Sequence, residues 1–268
     1  MIMWPIDPSR MNAEVLAKPV AGFANVRVYR SVLIVVLQAL ALTAPVLADR
    51  QVRNADHEAA RASVSAGSLV ADFGTATPSA DAKRLADWVA ATNDSRGSTF
   101  VIIDKRSALL YLFNGQARLL ARSPVLLGAA LGDEDVPGIG DRPISLVRPE
   151  ERITPAGRFV AERGRNARGE DVVWIDYDAA VSMHRVVTSN SAERRLERLA
   201  SPTADDNRIS YGCINVPVSF YESFIRPAFV SHSGIVYILP DVKSIQYVFG
   251  MEGGPVFQKP VARNTPRL

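Results

Sequence analysis

A single cysteine, Cys213, stands among 268 residues, so no disulfide can form within the chain. Histidine is nearly as scarce, at His57, His184 and His232. No glycine-rich phosphate loop follows a strand-like run, and no strands alternate regularly with helical periods, which disfavours a doubly wound nucleotide-binding sheet. A basic excess is missing as well. The formal charge is +3, but residues 1–48 hold Arg10, Lys18, Arg27 and Arg30 against only Asp7 and Glu14. Of 31 basic and 28 acidic residues, 27 and 26 remain beyond them. A surface that tracks phosphates needs a clear basic stripe, so nucleic acid is excluded as an expected partner.

Long hydrophobic runs are absent with one exception. Ser31 to Ala48 carries no charge and Val32 to Leu42 is almost wholly apolar, with Arg27 and Arg30 just upstream. This falls short of the ~20 apolar residues of a membrane span. It has the layout of a secretory signal, with Val46 and Ala48 as the small residues of a cleavage site after Ala48. Residues 1–48 are therefore expected to export the chain to the periplasm or cell envelope and to be its sole membrane contact. An uncleaved N-terminal anchor is the alternative, and translation from Met3 or Met11 would preserve the segment. In an oxidising compartment structural cysteines come in pairs. An unpaired Cys213 is then a reactive thiol, a small buried hydrophobe or half of an intermolecular bridge.

Residues 49–97 read as a linker, with a solvated His57, followed by a short helix. Leu85, Trp88 and Val89 mark one face of that helix between Asp81 and Ala91. From Thr99 the texture changes to short β-rich runs: Phe100 to Ile103, Ala108 to Phe113 before the turn signal Asn114-Gly115, Ala117 to Ala121, and Val125 to Leu127. Gly157 to Ala161, Val172 to Tyr177, Ala180 to Met183 and Ile235 to Leu239 follow. The polar stretch Gly132 to Glu151 is long enough to be a lid. Its Asp133, Glu134, Asp135 and Asp141 match no calcium-loop spacing and are expected to be solvated. Thr188 to Arg208 predicts a short helix, with Asn190 and Glu193 as a capping box and Ala192, Leu196, Leu199 and Ala200 on one face. Arg194, Arg195 and Arg198 project elsewhere, as a solvated face or as recognition of a substrate carboxylate. Residues 241–268 form a tail to which no chemistry is assigned.

Ser210-Tyr211-Gly212-Cys213-Ile214-Asn215 places the thiol after a glycine and before a stretch expected to turn helical, with Val218, Tyr221 and Phe224 at helical spacing. A helix N-terminus would lower the thiol pKa, and free amides in the same turn would form an oxyanion hole. A base is needed, and histidine suits the task. His184 ends the apolar run Ala179 to Met183, whereas His232 lies between Ser231 and Ser233; both stay open on this reading.

The same hexapeptide resembles the active-site signature of the L,D-transpeptidases: Ser or Thr, His, Gly, Cys, an apolar residue, then Arg or Asn. Thr154-Pro155-Ala156-Gly157-Arg158-Phe159 is similar to that family's Thr-Pro-x-Gly-x-Phe segment, and His184 stands where the family's histidine follows it. Leu110 to Gly115 and Pro124 to Gly128 resemble its opening strands. The resemblance covers about residues 98–240 and implies a mainly β, sandwich-like catalytic domain with a few short helices and long loop insertions. It implies peptidoglycan stem peptides as partner, a role in cell-wall organisation and cell shape, and no metal or cofactor. Cys213 would attack the carbonyl before a terminal D-alanine and hold the rest as a thioester until an amine takes it. His184 would be proton donor and acceptor, and the amides of Tyr211, Gly212 and Cys213 the oxyanion hole. Ser210, Asn215 and Arg185 would support the turn or contact substrate. The chain departs from the family where Tyr211 replaces the histidine two residues before the cysteine and Arg185 replaces a glycine. It also has a longer separation from His184 to Cys213 and the loop Gly132 to Glu151. Tyrosine, with a pKa near 10, is no base at neutral pH. These departures imply a divergent subgroup with its own lid and acceptor. Rival expectations are hydrolysis by a carboxypeptidase or amidase-like enzyme, attachment of a protein to the wall, and a non-catalytic wall-binding module.

Overall fold

In the computed structural model, which describes residues 69–230 and 233–251, the fold is mainly β with a few short helices. The segment 1–48 with its signal, the linker as far as residue 68 with His57, and also Ser231, His232 and the tail beyond residue 251 lie outside the described residues. Among the described residues, no helix is long and apolar enough to cross a membrane.

Strand β1 (Phe100–Asp104) pairs antiparallel with β2 (Leu109–Phe113), which pairs with β3 (Leu119–Pro124). β4 (Leu127–Gly128) lies apart, parallel to β8 (Arg208–Ser210). β5 (Gly157–Arg165), β6 (Asp171–Asp176) and β7 (Val181–Arg185) form an antiparallel meander. β9 (Ile214–Val216) then runs parallel to β7, and β10 (Gly234–Ile238) sits parallel to β1 and antiparallel to β5. The eight-stranded order is β3-β2-β1-β10-β5-β6-β7-β9.

Both faces of the central strands are covered, which is why β1, β2 and β10 read as continuous apolar runs rather than alternating ones. Val101, Ile103, Leu110, Leu112, Val236 and Ile238 belong to a core that continues to Val181, Met183, Ile214 and Val216. Phe100, Ile102, Tyr111, Phe113, Ile235 and Tyr237 belong to a second core, with Leu85, Ala86 and Val89 of helix α1 (Ala80–Thr92). Ser79 caps α1 by accepting from the Ala82 amide at 3.1 Å.

Local chemistry moves several boundaries from their sequence-based positions. The Asn114-Gly115 turn is no two-residue hairpin: the Asn114 side chain accepts from the amides of Gln116 and Arg118, Ala117 takes the left-handed conformation at φ 56°, and β3 begins at Leu119. Gly115 is required because a Cβ there would lie 1.8 Å from the Gly97 carbonyl oxygen. In the arginine-bearing segment Asn190 caps only the short turn Ser191–Glu193. Arg194 interrupts it at φ 50°, and helix α2 is confined to Arg195–Ala200. Of the apolar face expected there, Leu199 is buried whereas Leu196 is exposed. Leu199 clusters with Leu126 and Val186, which seats α2 beside β7.

The long loop is tied down at its start. Lys105, wholly buried, donates to the carbonyls of Gly132 (2.5 Å) and Thr154 (2.9 Å) and pairs with Asp133 and Asp241 at 3.1 Å each. Arg208 joins Asp241 at 2.6 Å. Burial would push the Asp133 carboxyl up, but the amides of residues 241–243 and the Lys105 charge outweigh it and hold it below its ordinary value. Asp133 is thus a buried anchor, contrary to the solvated role expected for the loop's acidic residues. Farther along, Glu151 is clamped by Arg142 and Arg148.

Candidate active site

β8 ends at Ser210 and β9 opens at Ile214, so Tyr211, Gly212 and Cys213 make the turn between them. This corrects the expectation of a helix directly after the cysteine. The helical stretch, α3 over residues 218–228 with a π-helical turn at Tyr221–Ile225, starts only after Pro217. The thiol therefore has no helix N-terminus beneath it. The pairing of β9 with β7 holds it instead.

The turn is built from a few short polar groups. Gly212 adopts φ 127°, a region that side-chain-bearing residues rarely enter, and a Cβ on it would stand 2.8 Å from the Ile153 carbonyl oxygen. Thr154, fully buried, donates its hydroxyl to the Gly212 carbonyl and accepts from the Gly128 amide, both at 2.8 Å. The Thr-Pro segment thus props the cysteine turn. The Ser210 hydroxyl donates to the Cys213 carbonyl (2.6 Å) and accepts from the Gly212 amide (3.1 Å). Asn215 Nδ2 donates to the same Cys213 carbonyl at 3.3 Å.

Register does the rest. Met183 pairs with Ile214 and His184 with Asn215, so the parallel ladder sets Ser182 beside Cys213. Because side chains alternate along a strand, Ser182, His184, Cys213 and Asn215 share one face, while Met183 and Ile214 enter the core on the other. The Cys213 sulfur lies 3.7 Å from Ser182 Oγ and 3.5 Å from the Ala180 carbonyl. Ala180 itself is held in the left-handed conformation at φ 52°.

The thiol and the His184 imidazole share one face of the ladder, and each shifts the other's pKa. Burial pushes the Cys213 thiol up. The hydrogen bond and positive charge of His184, with the amide and hydroxyl of Ser182, outweigh it and leave the pKa below the ordinary thiol value. Burial pushes His184 down, but the hydrogen bond and charge of the thiolate and the Arg185 carbonyl bring it above its ordinary value, against a lowering by the Arg195 charge. The Arg185 carbonyl lies 2.7 Å from His184 Nδ1 and can only accept, so Nδ1 carries a proton and Nε2 is left for the thiol. The two pKa values shift toward each other, and the proton on Nδ1 leaves Nε2 as the ring nitrogen turned to the thiol.

The other expected site residues divide. Ser210 and Asn215 join the cysteine turn. Arg185 faces the opposite side of β7 from His184: its guanidinium pairs with Asp171 (3.0 Å) and Glu222 (2.6 Å) and stacks on the Tyr221 ring, so only its carbonyl serves the site. Tyr211 is exposed, with the Arg152 guanidinium 4.1 Å above its ring. The Gly212 amide, expected to be a free oxyanion donor, is committed to Ser210 Oγ. Ser182 and Arg195 were not singled out by sequence as neighbours of the dyad. The period-two rule marks Ser182 as facing the same way as His184; nothing in the sequence marks which of three arginines turns inward.

No protein-family model matches the chain, and no curated protein matches it. Among solved structures, it is similar to the catalytic domain of an L,D-transpeptidase from E. faecium, at 17% identity and a TM-score of 0.30, over 53% of this chain and 98% of that one. It is also similar to the L,D-transpeptidase LdtMt1 in complex with imipenem, at 14% identity and TM-score 0.30, over 53% and 59% of the two chains. A third likeness is to a variant of the helical cell shape determining protein Pgp2 from Campylobacter jejuni, at 14% identity and TM-score 0.37, over 63% and 58%. The chain thus spans under two thirds of the length of the latter two.

Proposed function

We propose that the chain is an exported cysteine acyltransferase of the L,D-transpeptidase kind, acting on peptidoglycan stem peptides. The observation that carries the reading is the placement of Cys213 and His184 on one face of the β7–β9 ladder, where each shifts the other's pKa and the Arg185 carbonyl keeps a proton on His184 Nδ1. The ordered motifs around Thr154, His184 and Cys213 supply the substrate class.

The Cys213 thiolate adds to the carbonyl carbon of the bond before a terminal D-alanine, and the carbonyl electron pair moves to oxygen. With the Gly212 amide engaged by Ser210, the amides of Tyr211 and Cys213 are the donors for that oxyanion. The intermediate collapses as the C–N bond breaks, and the His184 imidazolium gives its Nε2 proton to the departing D-alanine nitrogen. A thioester and a neutral His184 remain. An acceptor amine then attacks the thioester and loses its proton to His184, and the Cys213 thiolate leaves. Water in place of the amine gives a carboxypeptidase. Residues 1–48 act as the export signal in this reading.

A β-lactam such as imipenem is a strained acyl donor that tests the first half-reaction. Intact-mass measurement after incubation is expected to show one adduct on the wild type, none on Cys213→Ala and a strongly slowed adduct on His184→Ala. If the wild type gains no adduct and purified wall material is unchanged by it, the chain is no acyltransferase.

A further inference from the structure

The inserted segment between β7 and β8 brings one cation to the dyad. Of its three arginines, Arg194 pairs with Glu197 in the open, and Arg198 donates to the carbonyls of Glu193 (2.9 Å) and Asp206 (2.7 Å) as a brace within the segment. Arg195 alone turns inward. It sits one helical turn before Leu199, on the same face of α2, and the burial of Leu199 against Val186 and Leu126 fixes which way that face points. Its side chain is only 12% exposed. Nη1 donates to Asn215 Oδ1 at 2.6 Å, and Nε pairs with Glu193 at 2.5 Å.

Asn215 is the register partner of His184 and lies two residues beyond Cys213, roughly 6–7 Å along the strand. The guanidinium is therefore held at a side chain about two residues along the strand from the nucleophile. It is held at two nitrogens, while Nη2 donates to no protein group among the described residues. With Nε and Nη1 engaged and the plane pinned, Nη2 is the donor left to reach an incoming carboxylate through a charge-assisted hydrogen bond.

Resting on the acyltransferase reading, we propose that Arg195 is a specificity-determining residue that binds a carboxylate of the acyl donor, carried within about two residues of the carbonyl that Cys213 attacks. Asn215 and Glu193 orient the guanidinium, and the substrate carboxylate takes Nη2. The arginine-bearing insertion is thus the element that selects the donor.

The test compares two acyl-donor tetrapeptides that differ only in a carboxylate or a carboxamide next to the scissile bond. Thioester formation on Cys213 is followed by intact mass for the wild type, Arg195→Gln and Arg195→Lys. The wild type is expected to prefer the carboxylate donor. Arg195→Gln should lose tenfold or more in kcat/KM on that donor, chiefly through KM, and less than threefold on the carboxamide, with Arg195→Lys recovering part of the loss. An equal loss on both donors makes Arg195 a brace for the turn and overturns the proposal, as does no loss on either. Imipenem acylation separates the two levels. If the wild type is acylated by imipenem but shows no carboxylate preference, this inference alone fails; if neither imipenem nor either peptide acylates it, the acyltransferase reading fails and takes the inference with it.

Discussion

Replacing Thr154 by valine removes one oxygen from the centre of the site while keeping its shape. That oxygen serves two buried backbone groups, the Gly128 amide and the Gly212 carbonyl, each at 2.8 Å. Valine satisfies neither, and burial at Thr154 excludes water as a substitute. Leaving a buried polar group unpaired costs about 1–3 kcal/mol, so the pair costs roughly 2–6 kcal/mol. For a domain of this size about 1 kcal/mol moves the melting temperature by roughly 2–4 °C, which predicts a fall of about 4–24 °C. Thr154→Ser keeps the hydroxyl and loses one methyl, about 0.5–1.5 kcal/mol, and is the proper control. Thermal unfolding of the three proteins, paired with the rate of Cys213 alkylation by iodoacetamide, reads both the fold and the turn. Should Thr154→Val melt within about 2 °C of Thr154→Ser and alkylate at the same rate, the view that Thr154 supports the cysteine turn is wrong.

In the wild type, alkylation of Cys213 should follow a pH profile whose midpoint lies below the ordinary thiol value of about 8.5. His184→Ala removes the positive partner and leaves burial unopposed, so the midpoint should rise above that value; an unmoved profile would mean the two side chains do not couple. Gly212→Ala forces a Cβ to within 2.8 Å of the Ile153 carbonyl oxygen at a φ of 127° and should cost on the order of 1–3 kcal/mol from the backbone alone. Its β-lactam acylation should be lost even where denaturant titration shows a folded protein. Lys105→Met leaves Asp133 and Asp241 buried with only Arg208 as counter-charge, and urea titration should show a loss of about 3–5 kcal/mol. Because the Asp133 pKa is depressed, its stabilising contribution is complete above roughly pH 4 and drains away as pH falls through the folded value, so acid unfolding reports on it.

The strands were legible where one residue pattern had one structural solution. Phe100 to Ile103 and Ile235 to Leu239 are apolar without interruption and sit in the middle of the sheet, covered on both faces. Boundaries shifted where a side chain competes for the backbone, as Asn114 does by accepting two amides and so lengthening the hairpin turn. β8 and β9 were missed because three-residue strands carry almost no periodicity. Ile214-Asn215-Val216 runs directly into the helical spacing of Val216 to Phe224, which masks it as a strand. What decides that Ile214 to Val216 is strand is its parallel partner β7, some thirty residues earlier in the chain, and no local propensity reports such a partner.

The same non-local pairing explains how the dyad is poised. The sequence-based argument assigned the reactivity of Cys213 to a helix N-terminus, a fixed and unselective source of positive potential. The structure substitutes a register: β9 beside β7 aligns Cys213 with Ser182 and Asn215 with His184, and one carbonyl, that of Arg185, sets the tautomer. A helix dipole would favour the thiolate whatever the state of the histidine. Here the lowering of the Cys213 pKa comes first from His184, so a change at the histidine moves the thiol with it. Any change that slips β9 by one residue would turn Cys213 into the core and Ile214 out of it, abolishing reactivity together with packing. The departures from the resembled motif fall around this ladder and leave it intact: Tyr211 lies outside it, Arg185 keeps its carbonyl on His184 while its side chain crosses to the other face, and the inserted helix delivers Arg195 to Asn215 from the side.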